Sequence, residues 1–173
     1  MEPLVDLAKI IIPAGLVLYA MYLMVRSFLN KELEKRMLEL KMKNTESILP
    51  IRLQAYERMC LFLERISPSN LLARLSTGNL TSKELQHVLL KEIRDEFNHN
   101  LSQQLYMSDD AWRSIKSAME SVIMIVNQAI TEVNPESKSI ELAKAVIQRA
   151  MQEERDPVEQ ALSFMKDEIR KVF

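Results

Sequence analysis

The segment TSKELQHVLLKEIRDEFNHNLSQQLY, residues 81–106, decides the fold class. Within it Leu85, Leu89, Ile93, Phe97, Leu101 and Leu105 recur every four residues, and Val88 and Tyr106 widen the same face. Such a period belongs to an amphipathic α-helix and not to a strand, whose apolar residues alternate. Its start is signalled by Thr81 and Glu84, a capping box in which each side chain can satisfy the other's orphan backbone N–H.

Working toward the C-terminus, Ser108 with Asp109 and Asp110 predicts the next helix, capped by the serine and favoured by two acids at its positive end. Trp112, Ile115, Met119, Val122, Ile123, Val126, Ala129, Ile130 and Val133 form its apolar stripe. Asn134-Pro135 and Asp156-Pro157 read as two further cap-and-proline starts. The first would bury Ile140, Ala143, Val146, Ile147, Ala150 and Met151, and the second Val158, Ala161, Leu162, Met165, Ile169 and Val172. Residues 81–173 are thus expected to form four helices.

Working toward the N-terminus, Gly78-Asn79 suits the left-handed C-cap of a short helix, NLLARL, opened by Ser67-Pro68. Pro50 is expected in the first turn of a helix over roughly 48–66, capped by Thr45 or Ser47 and burying Ile51, Ala55, Met59, Phe62, Leu63 and Ile66. Upstream, Leu29, Leu33, Met37 and Leu40 step by four, four and three, near coiled-coil spacing for fewer than three heptads, and Asn44 falls on the same stripe. This seam is a candidate for self-association. Only Gly15 and Gly78 are glycines among 173 residues, and no alternating pattern appears, so the chain reads as an all-α antiparallel helical bundle.

From Ile10 to Val25 runs IIIPAGLVLYAMYLMV, sixteen residues without a charge and apolar on every side. Extended by its flanks from Leu4 to Leu29, the segment is long enough to span a bilayer with some tilt. The beginning MEPLVD is acidic and no small-x-small exit follows, which argues for a retained transmembrane helix over a cleaved signal. Arg26, Lys31, Lys35, Arg36, Lys41 and Lys43 follow the span, so the N-terminus is expected outside and the bulk in the cytoplasm. The division expected is an anchor over 1–29, a juxtamembrane helix and second helix over 30–66, and a bundle over 67–173.

Two stretches, KNTESILPIRLQAYERMCLFLERISPSNLLARL at 43–75 and EFNHNLSQQLY at 96–106 followed by Trp112, together with the N-terminal span, carry a likeness. The chain resembles a family of small, uncharacterised membrane-anchored proteins from Bacteroidota. That resemblance implies a bacterial inner-membrane setting and brings no activity, cofactor or site residue with it.

Chemistry-bearing constellations are few. Glu-x-x-His occurs as Glu84/His87 and Glu96/His99, a pattern that ligates metal in ferritin-like bundles. Both pairs fall on one helix, about 18 Å apart by helical rise, so only a dimer could complete such a centre. Glu92, Glu96, His99 and Gln103 form a polar stripe, and with Asn100 and Gln104 they are the expected partner-docking face. Cys60 lies in an apolar run and reads as a buried structural thiol; being alone, it forms neither an intramolecular disulfide nor a multi-cysteine zinc site. Arg52, Arg58 and Arg65 are expected to pair with Glu57, Glu64 or solvent. The eleven methionines suit irregular cores and adaptable grooves. No nucleotide-binding, hydrolase-elbow or zinc-protease signature occurs. Twenty-three basic against twenty-four acidic side chains give no bias toward nucleic acid.

The reading is therefore a non-enzymatic scaffold, adaptor or assembly subunit without a cofactor. It would be held at the cytoplasmic face of the inner membrane by one span, with a protein partner or a second copy of itself. A stalk-like structural subunit and a dimer-completed metal protein are the alternatives.

Overall fold

The computed structural model describes residues 2–75 and 79–171, without the side chains of residues 2–10, 41, 44 and 45. Six α-helices follow in order: α1 Glu2–Ile66, α2 Pro68–Leu75, α3 Ser82–His99, α4 Asp109–Ala129, α5 Ser139–Gln152 and α6 Pro157–Arg170. Short 3₁₀ segments occupy Leu101–Tyr106 and Ile130–Glu132, and no strand is present among the described residues. The chain divides into two compact units, Met1–Leu49 and Pro50–Phe173.

The first unit is helix throughout its described length. Every apolar side chain described there is largely exposed, from Ile11 at 57% to Met42 at 58%, except the half-buried Leu49. Residues 11–40 lie on one helix long and apolar enough to cross a membrane, a property that signal sequences share. Beyond Leu29 the helix turns charged, and the pairs Glu32–Arg36 (3.1 Å) and Lys35–Glu39 (4.0 Å) support it along its surface.

Pro50 does not open a helix, contrary to expectation. Helix α1 runs through it, and Ser47, read as a possible cap, instead sends its Oγ back to the carbonyl of Lys43 (3.1 Å). A proline removes one rung of the hydrogen-bond ladder, but the turns on either side keep theirs. The division between the two units coincides with this missing rung, so residues 50–66 belong with the bundle and not with the juxtamembrane segment.

In the second unit the apolar stripes meet in one core. Ala55, Met59, Phe62, Leu63 and Ile66 are fully buried, with Leu85, Leu89 and Ile93 of α3, Ile115, Val122 and Val126 of α4, Leu142 and Val146 of α5, and Met165 of α6. Helix α4 packs on α3, α5 and α6, while α2 bridges α3 and α5. Phe62 meets Phe97 at 5.7 Å between ring centroids, and Phe97 stacks on Trp112 at 5.3 Å. Ile51, expected inside, is 45% exposed.

The caps explain the boundaries. Thr81 and Glu84 form the reciprocal box, Ser108 Oγ accepts from the N–H of Ala111 (3.0 Å), and Asp156 Oδ1 accepts from Val158 (2.8 Å) with Pro157 at the first helical position. Asn134-Pro135 behaves differently from its prediction. Asn134 Oδ1 takes the N–H of Glu136 (3.0 Å) in a local turn, and α5 begins four residues after the proline, at Ser139. This turn is stitched to the start of α3 by Ser82 N–H to Ser137 O (2.8 Å), Lys83 N–H to Pro135 O (3.0 Å) and Ser139 N–H to Leu80 O (2.9 Å). Two orphan amides of α3 are thereby satisfied across the bundle. The glycine cap proposed at Gly78 and the last stripe residue, Val172, lie outside the described residues.

Candidate functional site

The face expected to dock a partner is divided by the fold. Helix α3 ends at His99, and residues 101–106 tighten into 3₁₀ geometry, so the four-residue period stops short. Leu101 and Leu105, read as core, turn outward at 38% and 78% exposure. Asn100 is buried as the C-cap, its Nδ2 donating to the carbonyl of Glu96 (2.9 Å). Glu96 is ion-paired with Arg65 of α1 and Glu92 with Arg74 of α2 (3.1 Å). Of the six residues expected on that face, His99 and Gln104 are exposed and Gln103 is half-buried, its Nε2 donating to Ser102 (3.4 Å). The two carboxylates work inward, holding α1 and α2 against α3. Arg52 likewise reaches across the bundle, donating to the carbonyl of Tyr106 (3.3 Å).

The Glu-x-x-His pairs are separated in the same way. Glu84 accepts from the backbone N–H (2.8 Å) and hydroxyl (3.0 Å) of Thr81, which hold its carboxyl below the ordinary range, the backbone bond first. His87 and His99 are exposed. Among the described residues no three His, Cys, Asp or Glu side chains converge on one point. Cys60 is half-buried at the core's edge; burial pushes its thiol up, opposed by Lys166 and assisted by Glu64. A thiol so placed is a weak nucleophile.

One polar cluster is absent from the sequence reading. The Tyr56 hydroxyl donates to Glu168 Oε1 (2.5 Å), and Ser108 Oγ donates to Glu168 Oε2 (2.7 Å). The last helix is thereby tied to α1 and to the cap of α4 by one carboxylate. Tyr56 is 3% exposed and its phenol is pushed up, first by burial and then by the bond to Glu168 and that group's charge. No buried side-chain N or O among the described residues lacks a partner, so the cluster reads as a completed structural tie.

One opening on the bundle is mainly apolar. Between α2 and α5 runs a groove of about 710 Å³ lined by Leu72, Ala73, Ile140, Ala143, Ile147 and Met151, with Ser69, Lys144, Gln148 and Gln152 at its rim. Ile140 and Met151 were placed inside by periodicity, yet they are 49% and 81% exposed. Helix α5 carries two apolar edges, Leu142, Ala145 and Val146 toward the core and Ile140, Ile147 and Met151 toward the groove. The signal was present in sequence as an apolar arc too wide for one neighbour to cover.

A family model described as a family of unknown function (DUF7935) matches residues 2–172. No curated protein and no solved structure matches the chain.

Proposed function

Since the chain belongs to DUF7935, a family whose description supplies no activity, we propose from its geometry a membrane-tethered, non-enzymatic interaction protein. The observation that carries this reading is the α2/α5 groove, about 710 Å³ and lined mainly by apolar side chains. Ile140, Ala143, Ile147 and Met151 step by three, four and four, covering about 17 Å, or three turns of helix. That length and chemistry suit the apolar face of an amphipathic helix from a partner protein, with the polar rim receiving its flanks. The fold draws most of the 92–104 face into internal ties, so in this reading the docking surface moves from α3 to α5.

The exposed helix 11–40 supplies the tether. In this reading it crosses a bacterial inner membrane once, N-terminus outside, because the basic residues from Arg26 to Lys43 follow the apolar run. Confinement at the membrane raises the groove's effective concentration toward partners on the same surface.

The test places a photo-crosslinking residue at Met151 of the full chain in native membranes and sequences the peptide captured. The proposal expects one protein segment with apolar residues at helical spacing. It also expects capture to be lost in Ile140→Glu with Ala143→Glu and kept in His99→Ala with Gln104→Ala. Recovery of lipid alone, or capture that the α5 variant leaves intact, would overturn it.

A further inference from the structure

We propose that residues 29–48 of helix α1 pair in parallel with the same residues of a second copy of this chain, through an eleven-residue repeat. The proposal shares with the previous section only the reading of the helix as a membrane span. Because α1 does not stop at Pro50, its apolar spacing can be followed through. Counting four, four and three from Leu29 gives Leu33, Met37, Leu40, Asn44, Ile48, Ile51, Ala55, Met59, Phe62 and Ile66. Ten of these eleven positions are apolar, in a chain that is 47% hydrophobic overall. The frame is therefore a property of the helix and not an accident of one seam.

Its two ends meet different fates. Ala55, Met59, Phe62 and Ile66 are 0–1% exposed in the core. Leu29, Leu33, Met37, Leu40 and Ile48 are 49–62% exposed. A bilayer explains only part of this exposure, because its hydrocarbon core takes up about twenty residues of helix. Counted from Ile11, that length ends near residue 30, where Lys31, Glu32, Glu34, Lys35 and Arg36 begin. Leu33, Met37, Leu40 and Ile48 thus face water, on a helix whose other sides carry these charges together with the exposed Leu38 and Met42.

A second copy is the occupant that matches. The five side chains offer on the order of 500 Å² of apolar surface per chain, or about 1,000 Å² for a pair, which reaches the lower end of specific interfaces. Two chains entering one membrane by the same end are already parallel and in register, which lowers the cost of association. The repeat also fixes the geometry. Eleven residues in three turns is 3.67 per turn, so the paired helices run nearly straight or with a slight right-handed wind, unlike a heptad coil.

Single cysteines in the full chain carrying Cys60→Ser, crosslinked in native membranes, test this directly. Leu33→Cys, Met37→Cys and Leu40→Cys should each give several-fold more crosslinked dimer than Lys35→Cys, Leu38→Cys and Met42→Cys. Adding Leu33→Glu with Leu40→Glu should remove the Met37→Cys crosslink and halve the mass of the detergent-solubilised protein; Leu38→Glu with Met42→Glu should do neither. Equal crosslinking at all six positions, or no dimer at any, would overturn the pairing. Strong crosslinking of Arg36→Cys with little at Met37→Cys would replace the eleven-residue frame by a heptad and overturn the geometry. Membrane fractionation of the same samples isolates the shared premise, since a chain found outside the membrane fraction defeats the span whatever the crosslinks show.

Discussion

Two lengths of one helix carry the same spacing and end differently. At Ala55, Met59, Phe62 and Ile66 the stripe is buried in the core of the bundle, whereas at Leu29, Leu33, Met37 and Leu40 it stands exposed. The difference teaches that periodicity finds an apolar face but not what covers it. Cover has to come from elsewhere: from the bundle in the second unit and, as we propose, from lipid over the first part of the N-terminal helix and from a second copy beyond it.

The largest expected contrast is between two truncations on that stripe. Phe62→Ala removes a fully buried ring in contact with Phe97 and should cost about 3–5 kcal/mol in chemical or thermal unfolding of the bundle. Leu33→Ala, at 61% exposure, should leave the same transition within about 0.5 kcal/mol. A large loss from Leu33→Ala would break the distinction between the two lengths.

Next come the ties that close the bundle over its part of the stripe. Tyr56→Phe deletes a buried hydroxyl bonded to Glu168 and should cost about 1–3 kcal/mol. The raised phenol adds a sign that can be checked. A tyrosine whose folded pKa lies above its unfolded value stabilises fully below the unfolded value, about 10, and loses that contribution as pH rises through the folded one. Denaturation curves of the wild type should therefore weaken on the alkaline side more than those of Tyr56→Phe. Ser108→Ala removes both the cap of α4 and a donor to Glu168, and about 1–2 kcal/mol is expected in the same assay.

The smallest effect belongs to Glu84. Its carboxyl is held low by Thr81, so its contribution is present above the unfolded carboxylate value and fades as pH falls through the lower folded one. Glu84→Gln should lower stability slightly at neutral pH and flatten the acid side of the profile, where wild type and variant converge; an unaltered acid side would remove the capping box from the account.

How much of this was legible in the residues follows from how local each device is. The capping box at Thr81 and Glu84, the serine at 108 and the Asp156-Pro157 start act within four residues of chain, and all three were read in place. The stripe through Leu85, Leu89 and Ile93 was equally plain. Pro50 was misread because a proline favours a helix start without requiring one, and the core contacts of residues 55–66 favour continuing the helix. Leu101 and Leu105 were misplaced because the turn to 3₁₀ geometry at Asn100 shifts everything after it. Glu92, Glu96 and Glu168 find partners between 18 and 112 residues away, and no spacing rule names such partners. The α2/α5 groove was hidden for a related reason: Ile140 and Met151 look like core until the neighbours prove too few to cover them.

The chain's own methionines offer the most direct test of one spacing with two fates, since thioether oxidation reports solvent access without a substitution. Met59 and Met165 are fully buried, Met37 is exposed on the stripe, and Met42 and Met124 are exposed off it. Oxidative footprinting read by mass spectrometry, in dilute detergent and again in native membranes, should find Met59 and Met165 protected in both. Met42 and Met124 should be oxidised in both, and Met37, covered by the second copy, should be protected in the membrane and in the detergent-solubilised dimer. Oxidation of Met37 in step with Met42 under either condition, or of Met59 as fast as either, would contradict the account.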